Sequence, residues 1–347
     1  MKTYKNLWDS FVSMENLKLA AKKAIKHKKN KKAVQYFLQH QDELLKKLQD
    51  DLINGNFKTS QYRIRTIYEP KKRDIYILPL YPDHIVHHAI INIVGSIWQS
   101  IFINDSYACI PGTGLHAASK RVMHFVRKYK YVLQCDIKKF FPSINHKIML
   151  NIVRKKIKDK KFLGILREII FSVGGEKNLP IGNLTSQWMG NVYLNQMDHF
   201  IKEVLRCHAY IRYCDDFLIF DDDKSKLHRL KKHIESFLNA NLDLRFSKSG
   251  VFPIKNGVTF VGYRYFKKFI ILRKYGARKI CRRILNILKH YDFTDNAVGQ
   301  LAALHGWIRW SCSFNLKMSV YKMTLRLQPT MQYFICQKFF ISYTQNP

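Results

Sequence analysis

Apolar positions recur at helical spacing through residues 5–53, where Val34, Phe37, Leu38, Leu44, Leu45 and Leu48 form one face against a lysine-rich one. This pattern predicts amphipathic helices, and Asn54-Gly55 supplies their stop. The period then changes. "YRIRTIYEPKKRDIYILPL" (62–80) alternates apolar and basic residues about a Glu-Pro-Lys-Lys-Arg centre, which predicts a hairpin with a cationic tip. Asp83 is placed to cap a helix through the apolar 89–103 stretch. A basic helix over 115–129 follows, then a strand opening "YVLQCDIKKFFPSI" (131–144) and closed by Pro142. Residues 146–172 read as helical, and 178–205 pass from a Pro-Gly loop into another helix. Strands are expected at 210–214 and 217–221, a helix at 224–240, and strands near 242–246 and 257–265.

From residue 131 the order is strand, helices, strand, strand, helix, strand, which approximates the split βαβ, ferredoxin-like arrangement and predicts an α+β fold. From 259 to 347 the acids are only Asp292 and Asp295 in a strongly basic run, so the C-terminal part reads as a separate helical lobe.

Charge changes the picture more than length does. Sixty Lys and Arg stand against 25 Asp and Glu, a formal net charge of +35. Such an excess repels itself in a compact chain unless an anionic partner offsets it, and nucleic acid is the favoured partner because each neutralised phosphate releases counterions. The seven cysteines are scattered singly without C-x-x-C spacing, so neither a zinc site nor a disulfide framework is indicated. Free thiols fit a reducing cytoplasm. The start of the chain lacks the apolar core of a signal peptide, and 89–103, broken by Asn92, Ser96, Gln99 and Ser100, is too short to cross a bilayer. A cytoplasmic protein with no membrane partner is expected.

"YIRYCDDFLIF" (210–220) sets Asp215 and Asp216 inside an apolar run. A strand sends neighbouring side chains to opposite faces, and a buried unpaired carboxylate is costly. Either the chain turns there and both acids reach water, or they hold something positive; Asp136, after its own strand, reads as a helix cap or as a third member. Nucleotide polymerisation needs two divalent cations gripped by acids on neighbouring strand ends, with Mg²⁺ preferring carboxylate and phosphate oxygen. Spacing alone leaves both readings open.

Tyr213-Cys214-Asp215-Asp216 resembles the Y-x-D-D box of reverse transcriptases, and Asp136-Ile137-Lys138-Lys139-Phe140-Phe141 resembles their first catalytic strand. "EPKKRDIYILPLYPDHIVHHAI", "DSYACIPGTGLHAASKRV", "LPIGNLTSQ", "LDLRFSKSG" and "FVGYRYF" follow the order of the family's other blocks across residues 60–265. The resemblance implies a right-hand polymerase: a helical N-terminal segment and fingers over 1–107, a ferredoxin-like palm over 108–265 with a fingers return around 146–180, and a helical basic thumb over 266–347. It implies Asp136, Asp215 and Asp216 as catalytic residues, with Asp136, Ile137 and Asp215 as ligands of two Mg²⁺ ions that Mn²⁺ can replace. Lys71, Arg73, Phe141, Ile181, Gly182, Gln187 and Lys248 fall at nucleotide-binding positions, Phe141 as an aromatic gate against a 2′-hydroxyl, and Tyr213 and Gly262 at primer or template positions. Trp307 and Trp310 in "LAALHGWIRWS" either track the duplex or pack inward.

Between the aspartate boxes most relatives carry Q-G-x-x-x-S-P, whereas this chain has Ile181-Gly182-Asn183-Leu184-Thr185-Ser186-Gln187. That form resembles the reverse transcriptases of diversity-generating retroelements, which copy a template-repeat RNA into cDNA with errors at adenines. The resemblance implies template RNA, cDNA primer and dNTPs as partners, together with a small basic accessory protein that assembles as a ring. The rival readings are a group II intron or retron reverse transcriptase, and an inactive RNA-binding protein of polymerase fold.

Overall fold

The lysine-rich start of the chain folds as four helices because its apolar positions leave one face of each for burial: α1 (Trp8–Val12), α2 (Met14–Ile25), α3 (Lys32–Gln39) and α4 (Gln41–Ile53). Ser13 caps α2 by accepting from the Asn16 N–H. Asn54 ends α4, and Gly55 follows at φ +73, the left-handed turn a glycine supplies cheaply. The computed structural model describes residues 2–68, 71–289 and 295–324.

The described chain forms two units. The first comprises Met1–Gly114, Leu133–Ile219 and Ser225–Gly250; the second comprises Leu115–Val132, Phe220–Lys224 and Val251–Pro347. In the first, α2 lies along α5 (Ile85–Gln99). Ala20, Ala21 and Ala24 are fully buried there, and their small side chains admit close helix approach. The expected cap does not form: α5 begins at Ile85 without a side-chain cap, and buried Asp83 instead accepts from the Ser60 N–H at 3.0 Å. Strands β1 (Arg63–Ile67) and β2 (Arg73–Ile77) make the expected hairpin, with Ile67 opposite Arg73.

Four strands make the central sheet: β3 (Tyr131–Ile137), β4 (Tyr210–Tyr213), β5 (Asp216–Asp221) and β6 (Phe246–Pro253), in the order β4-β5-β3-β6. Between β3 and β4 come α7 (Phe140–Ser143), α8 (His146–Lys156), α9 (Lys160–Phe171) and α10 (Leu184–His199), and α11 (Lys224–Leu242) joins β5 to β6. With β3 as the first strand of the motif, this is the split βαβ order. The helical stretch expected over 146–172 is made of two helices, because Asp159 adopts extended backbone and caps α9 through the Phe162 N–H. The same carboxylate accepts from the Leu7 and Trp8 N–H groups at 2.7 and 2.9 Å, tying the N-terminus down.

The second unit holds α6 (Leu115–Lys128) and a three-stranded antiparallel sheet of β7 (Val258–Phe260), β8 (Tyr263–Tyr265) and β9 (Ile270–Leu272). The strand expected over 257–265 is thus two, broken where Val261 and Gly262 both take positive φ. Helices α12 (Lys274–Lys289), α13 (Asp295–Arg309) and α14 (Phe314–Thr324) follow. Buried Ser119 of α6 accepts from Trp310 Nε1 at 2.7 Å, and the Trp310 ring stacks on His116 with centroids 4.4 Å apart. Among the described residues no helix is long and apolar enough to cross a membrane.

Candidate active site

β3 carries its acid where burial alternates. Cys135 and Ile137 are buried, while Asp136 between them lies on the half-open face. β5 is the neighbouring strand. It is joined to β4 by Cys214 and Asp215 alone, with Tyr213 opposite Asp216. Cys214 sits at φ +53, the conformation a two-residue hairpin needs at its first central position. A side chain there costs about 1 kcal/mol, so surrounding contacts must hold the turn.

Arg212 does much of that holding. It is fully buried and grips the equally buried Asp198 of α10 bidentately, Nε to Oδ1 at 2.8 Å and Nη2 to Oδ2 at 2.5 Å. Its Nη1 donates to Asn191 Oδ1 at 2.9 Å and to the Cys214 carbonyl at 3.1 Å, which reaches into the turn itself. Tyr210 completes the cluster by donating to Asp198 Oδ1 at 2.6 Å. Burial works against the guanidinium charge, but Asp198 outweighs it and holds the pKa above its usual value.

The turn brings three carboxylates together. Asp216 shares a side-chain hydrogen bond with Asp136; burial first, then the charges of Asp215 and Asp136, push its pKa up to about 7. Asp215 is also raised, by burial and then by Asp136, with Arg73 and Lys71 opposing. Lys71 Nζ stands 4.0 Å from Asp136 Oδ2, and Ser247 of β6 donates its hydroxyl to that same oxygen. Among the described residues no three His, Cys, Asp or Glu side chains close into a metal cage. The donor set nonetheless suits hard divalent cations. Mg²⁺ takes one or two protein carboxylates and leaves its other positions to water and phosphate; burial and then mutual repulsion raise Asp215 and Asp216, and a nearby cation favours their charged forms against both.

Beside the carboxylates, Phe140 is buried and Phe141 half-buried, with ring centroids 5.1 Å apart. Gly190 of α10 makes room for both: a Cβ there would lie 3.2 Å from each ring. The loop that opens at Ile181 is fastened to the hairpin, since Tyr76 N–H donates to the Ile181 carbonyl at 2.7 Å. Gly182 follows at φ +129, where a Cβ would run into the Tyr76 carbonyl. That position needs glycine twice over.

The structure therefore brings Asp136, Asp215, Asp216, Lys71 and Arg73 into mutual electrostatic reach. It does not bring the others equally. Ile137 buries its side chain, so only its main chain can face a ligand. Gln187 is exposed on the first turn of α10, and Tyr213 is half-buried at the end of β4. Lys248 is exposed on β6, where alternation puts it on the face opposite Ser247. Gly262 belongs to the second unit, where a Cβ would lie 2.7 Å from the Trp307 ring; the contact that requires glycine is this one. Sequence reasoning missed Ser247, Gly190 and the Arg212–Asp198 pair. A glycine inside a helix and an arginine inside an apolar strand were the available signals, since each needs a packing or pairing reason; a surface serine gave none.

A family model described as reverse transcriptase (RNA-dependent DNA polymerase) matches residues 70–265, more than half of the chain. The chain belongs to the reverse transcriptase family. Protein YkfC of Escherichia coli (strain K12) is 24% identical, over 68% of this chain and 74% of its own length. Group II intron-encoded protein LtrA of Lactococcus lactis subsp. cremoris is 24% identical over 47% of this chain and 29% of its own. Retron Ec73 reverse transcriptase of Escherichia coli is 26% identical over 45% of this chain and 49% of its own. The reverse transcriptase match takes in all three carboxylates, Lys71, Phe141, Gly190, Arg212 and Ser247.

Proposed function

We propose that this reverse transcriptase copies a template-repeat RNA into error-prone cDNA for a diversity-generating retroelement. Residues 1–107 act as N-terminal segment and fingers, 108–265 as palm and 266–347 as thumb. Asp136 and Asp215 hold the divalent cations, with Asp216 supporting them. When bound, two Mg²⁺ ions supply activation of the primer 3′-oxygen and charge neutralisation on the phosphoryl group and pyrophosphate. Lys71 and Arg73 clamp the triphosphate, a guanidinium holding phosphate oxygens in pairs; the 4.0 Å approach of Lys71 to Asp136 brings that cation to where phosphate must sit. Phe141 lies under the sugar and rejects a 2′-hydroxyl. The small basic ring-forming accessory protein belongs to this reading on the resemblance alone.

The observation that carries the mutagenic reading is the loop 181–187. Its main chain is pinned to β2 through the Ile181 carbonyl, so replacing a polar side chain by Ile alters what the loop offers the nascent pair without altering its path. A glutamine can hydrogen-bond template or nucleotide, whereas Ile contributes bulk only. The likeness to LtrA and to the Ec73 enzyme is consistent with a second reading, a faithful intron or retron polymerase. One assay separates the readings: primer extension with Mg²⁺ on an adenine-containing RNA, with sequencing of the product. Wild type is expected to misincorporate opposite adenine, Ile181→Gln to do so less, and Asp215→Ala to make no product while still binding RNA. A wild type that is faithful at adenines sinks the mutagenic reading, an unchanged error spectrum in Ile181→Gln sinks the part given to Ile181, and extension by Asp215→Ala sinks the site.

A further inference from the structure

The C-terminal end of α5, the last turns of α8 and one face of α10 enclose a cavity of about 530 Å³, all of it within the first unit. On α10 the lining positions are 192, 195, 196 and 199, the spacing of a single helix face. Asn191 and Asp198 lie on the neighbouring face, where they hold Arg212 of β4. Much of the wall is apolar. Trp98, Val153 and Val192 are almost fully buried, and Trp98 and Phe102 both rest against the Trp188 ring, with centroids 6.4 and 6.3 Å away. His199 fixes one side, its Nδ1 meeting Glu203 Oε1 at 2.6 Å and its Nε2 the Ile101 carbonyl at 2.9 Å. The one acid of the lining is thus engaged within the protein, while Lys155 and Lys156 of α8 line the cavity as well.

Asn195 has no structural reason to be a carboxamide. It is 2% exposed, and its Oδ1 is buried without a hydrogen-bond partner among the described residues. Asn191, one turn earlier, uses both ends of its amide: Oδ1 accepts from Arg212 and Nδ2 donates to the Ala108 carbonyl. Buried polar groups are almost always paired, and an unpaired one destabilises the fold. At an apolar cavity wall, that partner has to come from outside the chain. We propose that this cavity binds a nucleotide, with Asn195 pairing the edge of the base and Lys155 and Lys156 holding the phosphate. An apolar, partly aromatic wall takes a flat ring. A carboxamide accepts from an amine and donates to a ring nitrogen, as it does on adenine N6 and N7. Lysines take the anion. A nucleotide carries all three features, whereas an acyl chain has no such edge. It is either free or an unpaired residue of an RNA, since both present the same base and phosphate. Nothing in the proposed polymerase chemistry uses this cavity.

The full chain is irradiated with 2-azido-AMP, digested and read by mass spectrometry, beside calorimetry with AMP. The label is expected within 98–102, 152–156 or 192–203, the segments that line the cavity, and unlabelled AMP should displace it. Asn195→Leu is expected to bind AMP about tenfold more weakly without lowering the urea midpoint, because Leu has a similar shape and leaves no amide unpaired. Joint replacement of Lys155 and Lys156 by Ala is expected to weaken AMP and leave adenosine unchanged. Label confined to other peptides, or wild-type AMP affinity in Asn195→Leu, overturns the site. Lost labelling together with a lowered urea midpoint in Asn195→Leu gives the amide a structural role and overturns it too, as does a water alone on Asn195 Oδ1 in crystals grown with AMP. Protection of the labelled peptide by a short oligo(rA) at lower concentration than AMP identifies RNA as the source; protection by AMP alone identifies a free nucleotide. None of these readouts depends on primer extension, so their failure leaves the polymerase reading standing.

Discussion

At the scale of single residues, Gly190 gives the sharpest test of the proposed aromatic gate. A methyl group there meets Phe140 and Phe141 at 3.2 Å, so a ring must yield by a few tenths of an ångström. Phe140 is 4% exposed and has nowhere to go. Phe141 is half-open, so it moves. Overpacking of this kind costs roughly 1 kcal/mol or more, and here the displaced ring is the one proposed to lie under the incoming sugar. Gly190→Ala is therefore expected to raise KM for dNTPs more than it lowers kcat, with only a small change in the urea midpoint. Steady-state kinetics beside equilibrium unfolding check this. A variant destabilised with KM unchanged would place Phe141 in the core and not at the nucleotide.

At the scale of elements, β4 is held on α10 by a pair that cannot lose one member. Arg212 and Asp198 are fully buried, and removing one partner strands the other charge at a cost of about 3–5 kcal/mol. Arg212→Met is expected to lower unfolding free energy on that scale and to abolish extension, because the same guanidinium holds the Cys214 carbonyl. Denaturant titration and primer extension report the two effects. A second element-level device sits at the start of α9. Burial alone would raise the Asp159 pKa, but the N–H groups of Phe162, Trp8, Leu7 and Lys161 hold it below the usual carboxylate value. A depressed folded value contributes stability that is complete above the unfolded pKa of about 3.9. That stability is lost as pH falls through the folded value. Asp159→Asn keeps one acceptor and removes the charge, so it is expected to be less stable than wild type at neutral pH. The gap should close as acid protonates Asp159, which unfolding curves across the acid range can follow. These two devices also show where sequence reading stops. The strand–helix–strand order was legible from periodicity, as were the β1–β2 hairpin and the stop at Asn54-Gly55, because each is a local signal. The break at Asp159 was not, since its reason is an N-terminal segment more than 150 residues away in the chain. Asp83 looked like a cap by its position, yet a distant N–H claimed its carboxylate.

At the scale of the whole molecule, the imbalance of 60 basic against 25 acidic residues is the property most plainly legible in the sequence. The convergence of Asp136 with Asp215 and Asp216 was legible only through motif resemblance, because spacing in the chain does not say which strand lies beside which. Charge and site make separable demands. The cations supply affinity for any phosphate chain, while the carboxylates sit within that field and repel phosphate until cations neutralise them. Binding should therefore depend steeply on salt and hardly at all on the proposed catalytic acids. A protein that neutralises about six phosphates loses about a thousandfold in affinity between about 50 and about 200 mM salt. Filter binding or anisotropy with a structured RNA is expected to show a linear fall of log affinity with log salt. The slope should be the same in wild type and Asp215→Ala, because removing one carboxylate takes away no phosphate contact. A shallow slope would mean that most of the net charge of +35 meets no phosphate. Affinity would then have to come from base stacking and hydrogen bonds, which do not release counterions.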